Sequence, residues 1–154
     1  MNKTISIAII VLLAFGGLYF WQNTTTPSVN PLGEKVTVYK TEECGCCAVY
    51  VKYLERKGVE VEVVNVQSTR EIREEYRIPI SLSSCHTSVV AGYGVEGHIP
   101  LEVMEKLLNE QPEIRGIALP GMPSGTPGMP GPKISEWIIY AIDHEGEVSE
   151  YLRM

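Results

Sequence analysis

VTVYKTEECGCCAVYVKYLERKG, from Val36 to Gly58, decides the fold. Val36-Thr37-Val38-Tyr39 is rich in the β-branched and aromatic residues that fill strands, and it follows a glycine-containing polar stretch. Thr41 is a candidate helix N-cap, with Glu42 and Glu43 suited to the positive end of the first turn. The helical period then places Ala48, Val51 and Leu54 on one face, with Tyr50 and Tyr53 beside them. Arg56 and Lys57 suit the negative end of that helix, and Gly58 is the expected terminator. The stretch is a strand running into a helix, with Cys44, Cys46 and Cys47 at the seam.

Downstream, Val59 to Val64 alternates apolar and acidic residues and reads as a second strand. Thr69 to Tyr76 is a short polar helix, halted by Ile78-Pro79. Thr87 to Ala91 and Tyr93 to Gly97 read as two strands joined by a tight turn at Gly92. Pro100 sits in the first turn of a helix from Leu101 to Asn109. Gly116 to Pro132 holds five glycines and five prolines, which excludes regular helix or strand through most of it. Glu136 to Ile142 is strand-like, and the Asp143–Glu147 turn leads into Val148 to Leu152, a terminal hairpin. The order β-α-β-α-β-β-α, with a dithiol between the first strand and the first helix, resembles thioredoxin. The expected fold is therefore α/β and thioredoxin-like, with a Gly/Pro/Met loop and a C-terminal β-hairpin added. No internal repeat is evident.

The N-terminus reads differently. Ile5 to Trp21 carries no charge, and a spanning helix needs about 17–25 apolar residues to cross roughly 30 Å of hydrocarbon. A cleaved signal peptide is the alternative, but it wants small residues before the cut. Here the run ends in Leu18-Tyr19-Phe20-Trp21, whose aromatics suit an interfacial belt. We expect a transmembrane signal-anchor over 1–22, a polar tether over 23–35 and one domain over 36–154. With Lys3 held inside, the domain is exported, periplasmic or extracellular; a cleaved, soluble exported form is the alternative. The net charge of −6 and the lack of Lys/Arg clusters argue against nucleic acid as a partner.

All four cysteines fall in Cys44-Gly45-Cys46-Cys47 and in Cys85-His86. Cys44 and Cys47 alone form C-x-x-C at a helix N-terminus, where the macrodipole favours a thiolate, and on fold context that is a redox site. Two details oppose a dedicated oxidoreductase. Cys46 adds a third thiol that invites off-path disulfides, and thioredoxin-like enzymes place a cis-proline where this chain has Ser84-Cys85-His86-Thr87. On the thioredoxin template that loop packs against the helix start, bringing Cys85 and His86 toward Cys44, Cys46 and Cys47. Such donors select Cu(I), zinc or iron–sulfur over magnesium or calcium. Zinc is the rival ion, since four thiolates, or three thiolates with one imidazole, are ordinary zinc shells. Vicinal Cys46 and Cys47 project roughly 100° apart on a helix, which suits thiolates that bridge several Cu(I) ions better than one tetrahedral ion.

The Gly/Pro segment puts Met122 and Met129 on a restricted loop, where their thioethers are either soft ligands or apolar plugs over the core. His98, ahead of Pro100, is either a ligand, a donor to a ligand or a local cap. His144 lies in a charged turn and is expected to be solvated, while Trp137 and Tyr140 pack the hairpin onto the sheet. A purely structural alternative pairs Cys44 with Cys47 and Cys46 with Cys85, or uses another of the three possible pairings. A bridge between residues three apart closes too small a loop to stabilise much. No Ser-His-Asp order, paired carboxylates or phosphate-binding glycine motif is present.

With YKTEECGCCAVYVKY (Tyr39 to Tyr53), SSCHTSVV (Ser83 to Val90), GHIP (Gly97 to Pro100) and LPGMPSGTPGM (Leu119 to Met129) in hand, the chain resembles the CopG-like family. These are thioredoxin-like, exported metal-binding proteins associated with copper resistance, unrelated to the ribbon-helix-helix repressors that share the label. The resemblance implies copper binding by Cys44, Cys46, Cys47 and Cys85, with His86 contributing and the methionines as further candidates. It also implies other copper-handling proteins as partners. The N-terminus departs from the family pattern, an anchor standing where relatives have a cleaved signal. The expected function is a membrane-tethered Cu(I)-binding protein that sequesters or transfers copper. The alternative is a thiol–disulfide or copper-dependent oxidoreductase using Cys44 and Cys47.

Overall fold

The computed structural model describes residues 30–154. The expected anchor and most of the tether lie outside the described residues; among these, no helix is long and apolar enough to cross a membrane. The chain runs β1 (Val36–Lys40), α1 (Gly45–Arg56), β2 (Val61–Asn65), α2 (Arg70–Glu75), a 3-10 turn (Ile80–Leu82), β3 (His86–Val90) and β4 (Tyr93–Glu96). It continues with α3 (Leu101–Glu110), β5 (Gly116–Ala118), β6 (Ile138–Ile142) and β7 (Val148–Arg153). This is the mixed α/β, thioredoxin-like arrangement with a C-terminal strand hairpin.

The strands among the described residues form one seven-stranded sheet in the order β2-β1-β3-β4-β5-β6-β7. β1 pairs parallel with β2 and antiparallel with β3, and β4 pairs parallel with β5. Apolar side chains on one sheet face meet α1 and α3: Val36, Val38, Val95, Ile117 and Ile139 share a core with Tyr50, Leu54, Met104 and Leu107. Successive strand residues point to opposite faces. Accordingly Ala118, next to Ile117, joins a smaller cluster with Ile78, Leu82 and Ile142 on the other side.

One register positions the site. Lys40 stands opposite His86 and Tyr39 opposite Thr87. The end of β1, which feeds the first cysteine cluster, therefore lies beside the start of β3, which carries the second.

Two local expectations need correction. Thr41 does not cap α1: Cys44 is the N-cap residue, and Glu42 and Glu43 lie ahead of the helix. The intervening residues are taken up by a turn, in which Cys44 N–H donates to the Thr41 carbonyl (3.2 Å) and the Lys40 ammonium to the same oxygen (3.0 Å). Pro100 stands one residue before α3 instead of inside its first turn. The Gly/Pro segment is irregular through most of its length, as expected, but it opens with a short strand, β5, that links the terminal hairpin into the main sheet. Gly116 pairs with Gly94, and a Cβ at Gly116 would sit 2.1 Å from the Gly94 carbonyl oxygen. The glycine that reads as a breaker is what lets these backbones approach.

Candidate metal centre

The beginning of α1 supplies Cys44 as N-cap and Cys46 and Cys47 in the first turn, and the segment entering β3 supplies Cys85. The four sulfurs lie within 4.8 Å of one another. Cys46 Sγ is 3.6 Å from both Cys44 Sγ and Cys85 Sγ, and Cys47 Sγ is 3.6 Å from the Cys85 carbonyl oxygen. Cys44 and Cys47 are joined as a disulfide, whereas Cys46 and Cys85 are free thiols. One of the two bridges of the structural alternative is therefore present and the other is open. Cys47 is fully buried, and the other three are partly exposed, so the cluster opens to solvent along one side.

A second group shares Cys85. His86 Nδ1 lies 3.7 Å from Cys85 Sγ, and His98 Nε2 lies 3.4 Å from the same sulfur. His98 Nδ1 is 2.6 Å from the Pro127 carbonyl oxygen. A carbonyl only accepts, so Nδ1 carries the proton and Nε2 presents its lone pair to Cys85. Both imidazoles are fully buried, and His86 Nε2 has no hydrogen-bond partner among the described residues. Burial drives the His86 pKa down to about 3, helped by the neighbouring His98, and burial also lowers that of His98. Both rings are neutral at pH 7 and able to donate a lone pair. Cys85 moves the other way: burial first, then its contact with Cys46, pushes the thiol up to about 12. Tyr50 of α1 holds the pair in place. Its ring lies 4.7 Å from His86 and 5.2 Å from His98, and its hydroxyl donates to the Ile99 carbonyl at 2.8 Å.

The Gly/Pro loop closes over this assembly. Gly128 has φ +86°, and a Cβ there would stand 2.9 Å from Tyr50 N and 3.3 Å from the Cys46 carbonyl oxygen. The loop backbone thus rests on the first turn of α1 while Pro127 holds His98. Thr126, almost fully buried, donates to the Pro123 carbonyl, and the Met129 N–H donates back to the Thr126 carbonyl, each at 2.8 Å. Met129 is half-buried beside Gly128, and Met122 is exposed at its edge. His144 is half-exposed near Glu113 in the terminal turn, and Trp137 is buried under the hairpin, each as expected.

Sequence reasoning misses Glu96. It is fully buried, accepts Ser84 N–H with Oε1 and accepts the Thr87 hydroxyl with Oε2, each at 2.5 Å. Burial raises its carboxyl pKa, opposed by those two bonds. A charged residue inside an otherwise uncharged strand, Tyr93-Gly94-Val95-Glu96, is the available signal.

Fold and site together define a thioredoxin-like protein in which the redox position has become a cup of soft donors. A glutaredoxin family model matches residues 36–78, and the model described as "Protein of unknown function, DUF411" matches residues 82–129. Two solved structures of copper resistance protein CopG superpose on the chain. One is 32% identical with a TM-score of 0.70, covering 79% of this chain and 98% of that one. The other is 31% identical with a TM-score of 0.71, covering 78% and 96%. The chain belongs to the CopG copper resistance protein family. No curated protein matches it.

Proposed function

We propose that this chain is an exported, membrane-tethered Cu(I)-binding protein that sequesters or transfers copper. The observation that carries the reading is the convergence of four sulfurs within 4.8 Å, with two buried histidines on the sulfur of Cys85. Cys44, Cys46, Cys47 and Cys85 are the proposed thiolate ligands, His86 and His98 the imidazole donors, and Met129 and Met122 further thioether candidates from the loop. Thiolate and thioether are the ligands that prefer Cu(I) over hard cations. Kinship with copper resistance proteins favours copper over zinc. Glu42 and Glu43, exposed just ahead of Cys44, add a local field that attracts cations.

Anaerobic competitive Cu(I) titration of the reduced chain, with metal counted per protein, tests this. Stoichiometric uptake is expected, lost in Cys46→Ser or Cys85→Ser. Tight zinc retention with no exchange for Cu(I) would sink the copper assignment. Recovery of the chain wholly in the soluble fraction would sink the tether.

The Cys44–Cys47 disulfide favours a second reading, a thiol–disulfide exchanger. Its step would pass two electrons and two protons from a substrate dithiol to that bridge, giving a substrate disulfide and the two cysteine thiols. Turnover on a disulfide or dithiol substrate that survives Cys85→Ser would support it; an inert Cys44–Cys47 pair would remove it. The two readings meet at one point, because the bridge must be reduced before Cys44 and Cys47 serve as thiolates.

A further inference from the structure

We infer that Glu96 is the positioning residue for Cys85 and His86, a buried strut spanning both sides of the dipeptide that supplies two of the donors. The inference deepens the copper reading and rests on it for the ligand role of Cys85. The geometry is two-handed. Oε1 takes the backbone N–H of Ser84, the residue before Cys85, and Oε2 takes the hydroxyl of Thr87, the residue after His86. Thr87 stands directly opposite Glu96 in the β3–β4 register, so the strand pairing aims the carboxylate at the loop. One residue on, Gly97 N–H donates to the His86 carbonyl at 3.0 Å, and His98 reaches Cys85 Sγ. Glu96, Gly97 and His98 thus grip Ser84, His86 and Cys85 in turn.

A purely apolar residue at position 96 would fill the same space with less cost of burial. A fully buried carboxylate persists where its bonds hold something in place. Here those bonds fall on the residues that flank the two donors, and the carboxylate shapes the loop through them.

The spacing also says which substitutes work. Glutamine keeps the length; its oxygen accepts from Ser84 N–H, and its amide donates to the Thr87 hydroxyl, which accepts as readily as it donates. Aspartate is one methylene short of both partners, and alanine reaches neither.

The test compares the full chain with Glu96→Gln, Glu96→Asp and Glu96→Ala by two measurements. The first is Cu(I) affinity of the reduced protein by ligand competition. The second is the alkylation rate of Cys85 in metal-free protein in which Cys44, Cys46 and Cys47 are replaced by Ser, so that no copper is involved. We expect Glu96→Ala and Glu96→Asp to weaken Cu(I) binding by about ten- to a hundred-fold, the usual effect of losing a group that orients a metal ligand. We expect Cys85 to alkylate several-fold faster in both, and Glu96→Gln to restore both readings to within about threefold of the parent. Parental affinity and alkylation in Glu96→Ala would overturn the inference, as would a Glu96→Gln as impaired as Glu96→Ala. If no protein, parent included, takes up Cu(I), the copper reading fails alone, and the alkylation rates still decide the strut. If Glu96→Ala does not fold, Thr87→Val, which removes only the Oε2 partner, decides by the same measurements: faster alkylation supports the strut, and an unchanged rate overturns it.

Discussion

Cys85 is the residue on which the two donor groups meet. Its sulfur is 3.6 Å from Cys46 and 3.4 Å from His98, so any ion held by the thiolates stands beside the imidazoles. Burial and then Cys46 push its thiol up to about 12, and at neutral pH it keeps its proton until a cation displaces it. Cu(I) loading of the reduced protein at pH 7 should therefore release protons, and the apparent affinity should rise with pH. A weakly buffered titration with a pH indicator reads the release, and in Cys85→Ser, which loses copper uptake, the release should vanish. Loading without acidification would contradict the protonated thiol. The histidines complement it: as neutral proposed donors they would bind without losing a proton, leaving the sulfurs to set the pH dependence above pH 7.

At the scale of elements, the Gly/Pro loop matters because it is seated on α1, not because it is flexible. Gly128 lies with φ +86° against Tyr50 N and the Cys46 carbonyl. Gly128→Ala sets a Cβ into that contact and into a backbone region costly for L-residues, for a loss of about 2–3 kcal/mol. Denaturant unfolding of the metal-free protein checks this; a change under about 0.5 kcal/mol would mean that the loop is free to lift. The same loop shows where reading the chain stops. Its composition announces an irregular segment, and the methionines draw attention to their sulfur. The contact that counts is the His98 imidazole donating to a backbone carbonyl, that of Pro127, and no pattern of loop side chains encodes it. The strand–helix start is legible because its apolar period and C-x-x-C are local. Convergence of Cys85 with them is legible only through the resemblance to thioredoxin. β5 is not, since Gly116 signals a break by itself and a close pairing only once Gly94 is known to face it. Glu96 is hidden for a related reason: an acidic residue in a strand reads as solvent-facing unless its partners are known.

For the whole molecule, the buried imidazoles couple the fold to acid. Burial holds His86 at about 3 and lowers His98, against an ordinary value of about 6.5. A histidine depressed in the folded state contributes stability that is complete above pH 6.5 and is lost as pH falls toward 3. Glu96, raised by burial, runs oppositely and favours the fold at low pH. With two imidazoles against one carboxyl, the metal-free protein should lose on the order of a few kcal/mol between pH 7 and pH 4. The urea midpoint measured at both values tests this, and His86→Gln should narrow the difference; an equal or higher midpoint at pH 4 would refute it. The register of β1 against β3 has a consequence for the order of events. Cys46 and Cys85 are 39 residues apart in sequence, and the sheet closes that loop. The entropy of closure is met by strand pairing and not by an ion. On the proposed ligand set, an unfolded chain still offers Cys44, Cys46 and Cys47 as a local half-site, so copper would bind to both states. The folded state would then gain only the margin that Cys85 and the histidines add. Copper in excess would hold the protein folded by that margin alone, and an unfolded copy would compete with folded ones for the ion instead of simply losing it.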